Sequence, residues 1–231
     1  MLWFTGGFTL ESQSKIFICN TASACRGSIS FIMKITNITA VILAGGKNTR
    51  IQQEKSLIKI QGNHLIDQQV KLLDSIFENI IISTSKAAII NKFPALQTVE
   101  DEYIDCGPLG GIQAAMKLAQ TEAVFVFACD MPYLDTNVIL RQIDAYRNSN
   151  VDIMVPKHEE GIEPLHAIYS RTNLPFLEEC LKNGRYSVRS FYARSNAGYL
   201  DFEKKYINNF YNINTQRDLQ NANRIVRSEK L

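Results

Sequence analysis

The chain has 231 residues, of which 45% are hydrophobic and 21% charged, and its formal net charge at pH 7 is +2. This length and composition are typical of one globular α/β domain with a full hydrophobic core. The small net charge and the lack of any long lysine and arginine block argue against nucleic-acid and membrane-surface partners. No apolar stretch reaches the roughly eighteen residues that a membrane-spanning helix needs, which predicts a soluble protein.

The five cysteines give a prediction about the cellular compartment. Their number is odd, they are scattered, and no two of them form a CxxC pair, so the sequence predicts neither a disulfide framework nor a zinc site. Thiols of this kind fit a reducing environment, and we therefore expect a cytoplasmic protein. The cysteines are Cys19, Cys25, Cys106, Cys129 and Cys180.

The first 33 residues differ from the rest of the chain. They show no sustained helical or strand periodicity, and they lack the basic start and the continuous apolar core of a signal peptide. We predict that residues 1–33 form a poorly ordered extension, or upstream sequence translated from an early start, rather than a functional arm. Residues 34–231 are then predicted to form a single domain.

Apolar strands and amphipathic helices alternate between residues 40 and 147. Ile66, Val70, Leu73 and Phe77 recur at helical spacing, and a turn at Gly62-Asn63 is predicted to cap the helix that they mark. Such alternation predicts a mainly parallel sheet with helices on both faces. The predicted strands span 40–43, 57–60, 80–82, 96–99 and 123–129, and the predicted helices begin near residues 66, 87, 107 and 135.

The pattern changes after residue 150. Strands are predicted over 151–155 and 167–169, and the polar, glutamate-containing connection between them favours an antiparallel pair. Helices are predicted near 174–181 and 187–192. A last helix over 216–226 is predicted to be capped by Thr215.

The first strand ends in a glycine pair, Gly45-Gly46, which is followed by Arg50 and Lys55. Glycine reaches positive φ and lets the backbone approach a ligand, and consecutive backbone N–H groups form an anion-binding concavity. With two cations within reach, this stretch predicts a phosphate-binding loop. An ordinary strand-to-helix turn with solvated cations is the alternative, and the spacing is not that of a Walker A loop.

Residues suited to nucleotide binding follow several predicted strands. Leu43-Ala44-Gly45, Ser83, Asp101 and Asp130 each lie at or just beyond a strand end. In a parallel sheet these ends meet at one edge, where ligands bind near the switch in strand order. Asp130 follows the most apolar strand and precedes Pro132, which makes its carboxylate the candidate ligand for Mg²⁺. The alternatives are a strand-end or helix-cap role for Asp130 and a plain turn role for Asp101.

Motifs along the chain carry a resemblance to a known family. They are Leu43-Ala44-Gly45-Gly46 with Arg50 and Lys55, Gly107-Pro108-Leu109-Gly110-Gly111, Cys129-Asp130-Met131-Pro132, Pro164-Leu165-His166-Ala167-Ile168-Tyr169 and Asn212-Ile213-Asn214-Thr215. In this order and spacing they resemble the molybdenum cofactor guanylyltransferases, within the larger family of Rossmann-like nucleotidyltransferases. The resemblance runs from about Ile38 to Leu219. It implies an α/β, Rossmann-like three-layer nucleotidyltransferase fold.

The resemblance also implies a reaction and its residues. GMP would pass from GTP to the phosphate of the molybdopterin-bound molybdenum cofactor, with release of pyrophosphate. Arg50, Lys55 and Asp130 are implied as catalytic residues, and Asp130 also as the Mg²⁺ ligand. The implied nucleotide contacts are Leu43, Ala44, Gly45, Lys55, Ser83, Asp101 and Asp130. No Ser/His/Asp or Cys/His nucleophile is apparent, which favours direct transfer without a covalent intermediate.

The later motifs imply the acceptor side. His166, Asn212 and Asn214 match family positions near the acceptor, although a lone histidine beside a strand is equally a packing residue and Asn before a capping Thr is a normal helix entry. GTP and the molybdopterin cofactor are the implied substrates, and Mg²⁺ the implied cofactor. Molybdoenzymes or their chaperones are the implied protein partners, with no nucleic acid and no membrane.

The chain departs from the family pattern in the loop. Ile51-Gln52 stands where the family has Met-Gly, Glu54 where it has Asp, and Ser83 where Asn is common. The lost glycine reduces loop flexibility and predicts altered closure or weak activity. A degenerate nucleotide-binding module therefore stays as one rival hypothesis.

The second rival is a cytidylyltransferase acting on the same or a similar phosphate acceptor. Cytidine-using members of the family tend to have Ala where this chain has Gly45. A glycine leaves more room for a purine, because it has no Cβ. The sequence therefore favours GTP over CTP.

Overall fold

A computed structural model describes residues 33–45, 58–103 and 105–228 of the chain. Residues Met33–Leu231 form one compact unit. The predictions for the extension, residues 1–33, lie outside the described residues except for Met33. The predictions for Gly46, Arg50, Ile51-Gln52, Glu54 and Lys55 lie outside them too, so the predicted phosphate loop is described as far as Gly45.

Strands and helices alternate along the described chain, as the sequence predicts. The strands are β1 (Ile38–Leu43), β2 (Lys59–Ile60), β3 (Asn63–His64), β4 (Ile80–Ser83), β5 (Gln97–Val99), β6 (Ala123–Ala128), β7 (Ile153–His158), β8 (Gly161–Ile162), β9 (His166–Ser170) and β10 (Ala197–Asp201). The helices are α1 (Leu65–Asp74), α2 (Ala87–Lys92), α3 (Pro108–Leu118), α4 (Thr136–Arg147), α5 (Leu174–Lys182), α6 (Val188–Tyr192) and α7 (Gln216–Ser228). Short 3-10 helices span Arg171–Asn173 and Lys204–Phe210.

The main sheet has eight strands in the order β10-β7-β9-β6-β1-β4-β5, with β8 paired to β7. β6, β1, β4 and β5 are parallel to one another. β9 is antiparallel to both β6 and β7, and β10 is parallel to β7. The prediction of a mainly parallel sheet with an antiparallel pair after residue 150 is confirmed.

The two faces of the sheet carry separate hydrophobic cores, because successive side chains of a strand point to opposite faces. Ala40 and Ile42 of β1 pack in a cluster with residues of α1 and α4. Val41, between them, packs in a second cluster with residues of α3 and α5. Every residue of β6 is buried. Burial on both faces explains why this strand is continuously apolar rather than alternating.

Polar caps fix where the helices begin near the cleft. The Asp135 carboxylate accepts hydrogen bonds from the backbone N–H groups of Asn137 and Val138 at the start of α4, as predicted. At α7 the Thr215 hydroxyl accepts from the Asp218 N–H at 3.1 Å, and the Asp218 carboxylate accepts from the Thr215 N–H at 2.7 Å. This reciprocal pair is a capping box, so the predicted capping role of Thr215 is confirmed.

The turn before α1 differs from its prediction. Gln61 and Gly62 both have positive φ, 51° and 85°, and connect β2 to β3 in a small hairpin. Asn63 therefore belongs to a strand, and His64 precedes α1 without a side-chain cap. The sequence placed the turn one residue late, because two consecutive left-handed residues need not both be glycine.

Strand β10 is missing from the sequence prediction. Its residues are exposed or half-buried, so it has no apolar run to mark it. It contains Gly198, where a Cβ would meet Val151 Cγ1 at 2.9 Å. An edge strand that contains a glycine packed closely against a neighbour has a sequence pattern that predicts a strand only weakly.

Candidate active site

A cleft of about 790 Å³ lies at the carboxyl ends of β1, β4 and β6. Of the predicted site residues, it is lined by Leu43, Gly45, Ser83, Asp101 and Asp130. These residues come from separate strand ends, and the parallel order of the sheet brings them to one edge, as the sequence predicts.

Ser83 and Asp101 form a hydrogen-bonded pair in the lining of the cleft. The Ser83 hydroxyl donates to Asp101 Oδ1 at 3.0 Å. Burial raises the pKa of the Asp101 carboxyl, and the hydrogen bond from Ser83 acts in the opposite direction. The shorter side chain that stands in place of the family's Asn thus orients a carboxylate at the cleft wall.

The first turn of α3 packs directly against this pair. A Cβ on Gly111 would lie 2.6 Å from Ser83 Oγ and 3.2 Å from Asp101 Oδ1, and a Cβ on Gly110 would lie 3.1 Å from the Tyr103 carbonyl oxygen. Only glycine fits such a close approach. The two glycines let the helix start reach the cleft wall.

The start of α3 also offers partial positive charge to the cleft. Gly107 precedes the helix with a φ of 61°, and no side chain caps the first turn. Gly107 and Pro108 both line the cleft. The free N–H groups and the dipole at a helix start favour an anion, which suits a phosphate of a bound nucleotide.

Of the two reasons that the sequence suggests for Gly45, a left-handed φ and a small size, the structure agrees with the small size. The φ of Gly45 is outside the left-handed region. Gly62 and Gly107, in contrast, have positive φ. A Cβ there would meet only the Ser83 carbonyl oxygen, at 3.9 Å. The glycine is therefore not required by the backbone, and its small size leaves space in the cleft.

Ala44 contributes to the fold rather than to the cleft wall. Its side chain is fully buried in the cluster beneath α1 and α4. Its N–H donates to the Ser83 carbonyl oxygen at 2.9 Å. Ala44 therefore holds the ends of β1 and β4 together beside Gly45.

Asp130 occupies the turn that follows β6. Its carbonyl oxygen accepts from the Ile213 N–H at 3.0 Å, and the residue is 7% exposed. The helix-cap alternative does not apply, because Asp135 caps α4. The side chain lines the cleft, within a part of the chain that also contributes Ala128 and Cys129 to the wall.

Asp130 does not belong to a larger cluster of metal-ligating side chains in the described part of the chain. Among residues 33–45, 58–103 and 105–228, no group of three or more His, Cys, Asp and Glu side chains could hold a metal ion. Mg²⁺ does not need such a cage, since it binds through one or two carboxylates and takes its other oxygens from substrate phosphates and water. Asp130, together with Asp101 in the same cleft lining, is consistent with that chemistry.

His166 lies in the core and not in the cleft. Its ring is fully buried, and it makes edge contacts with Phe125, Phe127 and Phe210. Burial lowers the pKa of His166 to about 4, so the ring is neutral. The structure displays the packing alternative, and the motif reaches the cleft instead through Leu165.

The two predicted asparagines belong to a segment that is far from Asp130 in the sequence but lies beside it in the fold. Ile213, between them, donates its N–H to the Asp130 carbonyl oxygen, which ties this segment to the turn after β6. Asn212 donates to the Phe210 carbonyl oxygen at 3.0 Å and is half-buried. Asn214 is exposed, and its N–H donates to Asp218 Oδ2.

Glu163 and His158 are polar residues near Asp130 that the sequence did not single out. His158 Nε2 lies 3.3 Å from Glu163 Oε1. His158 Nδ1 accepts from the Glu160 N–H, so Nε2 carries the proton in the neutral ring and donates to Glu163. Burial raises the pKa of Glu163, hydrogen bonds from His158 and Asn212 lower it, and the nearby charge of Asp130 raises it.

A signal for this pair was present but weak. His158 and Glu163 lie on either side of Gly161, which begins β8 with a φ of 144°. The sequence marked this segment as a polar connection that contains glutamate. The β7–β8 hairpin brings His158 and Glu163 together, and the sequence pattern did not predict that these two strands pair.

None of the helices in the described part of the chain is long and apolar enough to cross a membrane. The described cysteines, Cys106, Cys129 and Cys180, are buried and form no disulfide.

Comparison with known proteins identifies the family. Residues 40–198 match the model of the MobA-like NTP transferase domain. The probable molybdenum cofactor guanylyltransferase of Peptoclostridium acidaminophilum is 31% identical over 202 residues, which cover 83% of this chain and 91% of that protein. The molybdenum cofactor guanylyltransferase of Syntrophotalea carbinolica is 29% identical over 187 residues, covering 79% and 89%.

Solved structures share the fold. Molybdopterin-guanine dinucleotide biosynthesis protein A from Archaeoglobus fulgidus superposes with a TM-score of 0.71 at 24% identity, over 82% of this chain and 99% of that one. The Rv0371C protein of Mycobacterium tuberculosis, solved in complex with manganese, gives a TM-score of 0.61 at 17% identity, over 81% and 98%. With the fold, the cleft and the matched domain in agreement, this chain belongs to the family of MobA-like NTP transferases.

Proposed function

We propose that this chain transfers GMP from GTP to the terminal phosphate of the molybdopterin-bound molybdenum cofactor. The observation that supports it most is the convergence of Gly45, Ser83, Asp101 and Asp130 on one cleft, in a chain whose family is established. The relatives named molybdenum cofactor guanylyltransferase cover most of the chain, and they give the substrates of the proposal.

The transfer is a single displacement at the α-phosphorus of GTP. An oxygen of the acceptor phosphate forms a bond to that phosphorus, and the bond to the oxygen that bridges the α- and β-phosphates breaks. Pyrophosphate leaves with the electron pair of the broken bond. Such reactions depend mainly on positioning and on stabilising the charge that develops.

This chain supplies these two contributions from separate residues. The base and ribose fit against Gly45 and the Ser83–Asp101 pair, while the start of α3 faces the phosphates. Arg50 and Lys55, in the loop that follows Gly45, neutralise the triphosphate. Leu43 contributes to the lining of the cleft.

Asp130 is the residue that would hold Mg²⁺. When bound there, the ion would neutralise phosphate charge and stabilise the leaving group. The Ile213 N–H fixes the Asp130 backbone at the edge of the cleft.

The acceptor binds beside Asp130 on the side of Asn212 and Asn214. Asn212 contacts Glu163 and the Phe210 carbonyl oxygen, which gives that side a polar surface. Molybdoenzymes or their chaperones are the proposed recipients of the product, the cytoplasm is the proposed location, and neither nucleic acid nor a membrane is a proposed partner.

The experiment is product analysis after incubation of the full chain with GTP, Mg²⁺ and the molybdopterin cofactor. The guanine dinucleotide form of the cofactor and pyrophosphate should appear together. Tight GTP binding without either product would instead support the degenerate nucleotide-binding module. Product from CTP but not from GTP would support the cytidylyltransferase.

A further inference from the structure

The turn that carries Asp130 is held by an unusual number of hydrogen bonds. Residues 128–131 form a β-turn in which the Met131 N–H donates to the Ala128 carbonyl oxygen at 3.3 Å, with Asp130 at the third position. Neighbouring strands tie down the rest of the backbone. Ala128 N–H donates to Leu165 and Cys129 N–H donates to Leu43, each at a carbonyl oxygen.

One side chain from α1 completes this arrangement. Gln69 Nε2 donates to the Ala128 carbonyl oxygen at 3.0 Å and to the Met131 carbonyl oxygen at 2.9 Å. It therefore bridges the first and last residues of the turn in which Asp130 lies. Gln69 is 2% exposed, so water does not compete for either bond.

The orientation of this amide is fixed by chemistry. The opposite orientation would place an amide oxygen against two carbonyl oxygens, and oxygen atoms that only accept cannot bond to one another. Among the described residues, Gln69 Oε1 has no hydrogen-bond partner although it is buried. Leaving a buried acceptor unsatisfied is costly, so the two donated bonds must be what retains the amide.

We infer that Gln69 is a positioning residue that holds the Asp130 turn in the geometry needed to bind the divalent metal with GTP. The inference rests on the proposed function for Asp130 as the metal ligand. Residues that orient a metal ligand without touching the metal commonly change its affinity by about 10- to 100-fold when they are replaced. Gln69 reaches Asp130 through the backbone on both sides of it.

The fold offers a matched control in Gln142 of α4. It is also fully buried, and its Nε2 donates to two carbonyl oxygens, of Met154 at 3.2 Å and of His166 at 2.8 Å. These acceptors lie on β7 and β9 and not in the Asp130 turn. Replacing either glutamine by leucine removes two amide hydrogen bonds to backbone carbonyl oxygens and keeps a side chain of similar size. Gln142→Leu also removes the contact of Gln142 Oε1 with His166 Nδ1 at 3.2 Å, so it should destabilise the fold at least as much as Gln69→Leu does.

The test measures metal binding without turnover. Full-length Gln69→Leu, Gln142→Leu and Asp130→Asn are titrated with Mn²⁺ in the presence of a GTP analogue that has a methylene group between the α- and β-phosphates. Free Mn²⁺ is followed by electron paramagnetic resonance, and the melting temperature of each variant is recorded. Gln69→Met serves as a second replacement without donors.

Gln69→Leu is expected to raise the Mn²⁺ dissociation constant by about tenfold. Gln142→Leu should lower the melting temperature at least as much and leave that constant within about twofold of wild type. An unchanged constant in both Gln69 variants, or an equal rise in Gln142→Leu, would overturn the inference. So would a failure of both Gln69 variants to fold while Gln142→Leu folds, because the amide would then serve the fold alone.

The outcome separates this inference from the proposed function. If the expected Mn²⁺ pattern is found but wild-type protein forms no dinucleotide from GTP and the molybdopterin cofactor, the proposed function is wrong and the role of Gln69 stands. If Asp130→Asn binds Mn²⁺ as wild type does, Asp130 is not the ligand and the inference is wrong, whatever the product assay gives.

Discussion

The two halves of the sheet meet at Asp130 and build their sides of the cleft differently. β1, β4 and β5 are parallel, and each ends at the same edge, so Gly45, Ser83 and Asp101 come together by topology alone. On the other side β9 runs against β6 and β7, and a hairpin and the segment before α7 supply the polar residues. The side built by β1, β4 and β5, called the parallel half, can be predicted from the sequence. The side built by β9, the β7–β8 hairpin and the segment before α7, called the crossed half, depends on contacts between residues far apart in the sequence.

This difference suggests a division of work. The parallel half fits the nucleotide, through the Ser83–Asp101 pair and the start of α3. The crossed half fits the acceptor, through Asn212 and its contact with Glu163. Variants on one side should therefore change the KM for one substrate and leave the other unchanged, with Asp130 as the exception that affects both.

The largest effect is expected for Asp130→Asn. The substitution keeps the shape of the side chain and removes its charge, so transfer should fall by about 10³ while the protein stays folded. Turnover with a magnesium titration and circular dichroism measure the two properties. Asp135→Asn, the same change at a half-buried helix cap, is the control, and equal losses in both variants would contradict the role of Asp130.

A smaller loss is expected for Lys55→Ala. Removing a charge-assisted contact to phosphate should reduce transfer by roughly 10² to 10³ and weaken binding of GTP, since the fold has little reason to change. Steady-state kinetics with varied GTP provide the measurement. Lys59→Ala, on exposed β2, should behave as wild type, and near-normal turnover in Lys55→Ala would remove that residue from the site.

Gly45→Ala tests base selection on the parallel side. Within the described residues, a Cβ there meets nothing closer than the Ser83 carbonyl oxygen at 3.9 Å, so the melting temperature should not change. The added methyl group should narrow the space for a purine and reduce the preference for GTP over CTP by roughly 1 to 3 kcal/mol. Competition between the two nucleotides measures this preference.

Two results would count against this account of base selection. Equal or better use of CTP by wild-type protein would move the assignment to the cytidylyltransferase. An unchanged preference in Gly45→Ala would show that the base lies elsewhere. Gly111→Ala is a useful contrast, because its Cβ would lie 2.6 Å from Ser83 Oγ. This variant should weaken the binding of GTP and of CTP to a similar extent.

Asn212→Ala tests the crossed half. Its amide contacts Glu163 and the Phe210 carbonyl oxygen, and its loss should raise the KM for the acceptor by about tenfold without changing the KM for GTP. Asn209→Ala removes a comparable bond, to the Tyr133 carbonyl oxygen at 2.9 Å, and should change neither constant. A rise in the KM for GTP alone would contradict the division between the halves.

The smallest effect is expected for Ser83→Ala, and it depends on pH. Burial raises the pKa of Asp101, and the Ser83 hydrogen bond opposes that rise, so the substitution should raise the pKa further. If the ionised Asp101 carboxylate binds GTP, the affinity for GTP decreases as the pH falls through the pKa of Asp101. This decrease should begin at a higher pH in Ser83→Ala than in wild type. Near neutral pH the decrease should be about fivefold.

The control for this pH effect is Ser85→Ala, because Ser85 also lines the cleft. Binding measured by calorimetry over a pH series compares the two variants with wild type. Identical acid limbs in Ser83→Ala and wild type would show that the Ser83–Asp101 bond does not tune GTP binding.

The sequence predicted the parallel half well, because its signals are local. Apolar runs such as that of β6 mark buried strands, and residues that follow them must meet at one edge. Gly45, Ser83, Asp101 and Asp130 were found in this way. The backbone reason given for Gly45 was wrong, since its φ is not left-handed.

The crossed half was predicted less well for a physical reason. The contact between His158 and Glu163 exists only because β7 and β8 form a hairpin, and the burial of His166 depends on Phe125, Phe127 and Phe210 from distant segments. The bridge made by Gln69 to the Asp130 turn joins residues far apart in the sequence. Periodicity carries no information about such long-range contacts.

The most direct test of guanylyl transfer uses GTP labelled with ³²P at the α-phosphate and measures where the label goes. Incubated with wild-type protein, Mg²⁺ and the molybdopterin cofactor, the label should enter the guanine dinucleotide cofactor, with one pyrophosphate formed per dinucleotide and no label on the protein. Asp130→Asn should give almost none of this product. Label retained on the protein, or GTP left unchanged by wild-type protein, would contradict direct guanylyl transfer at this cleft.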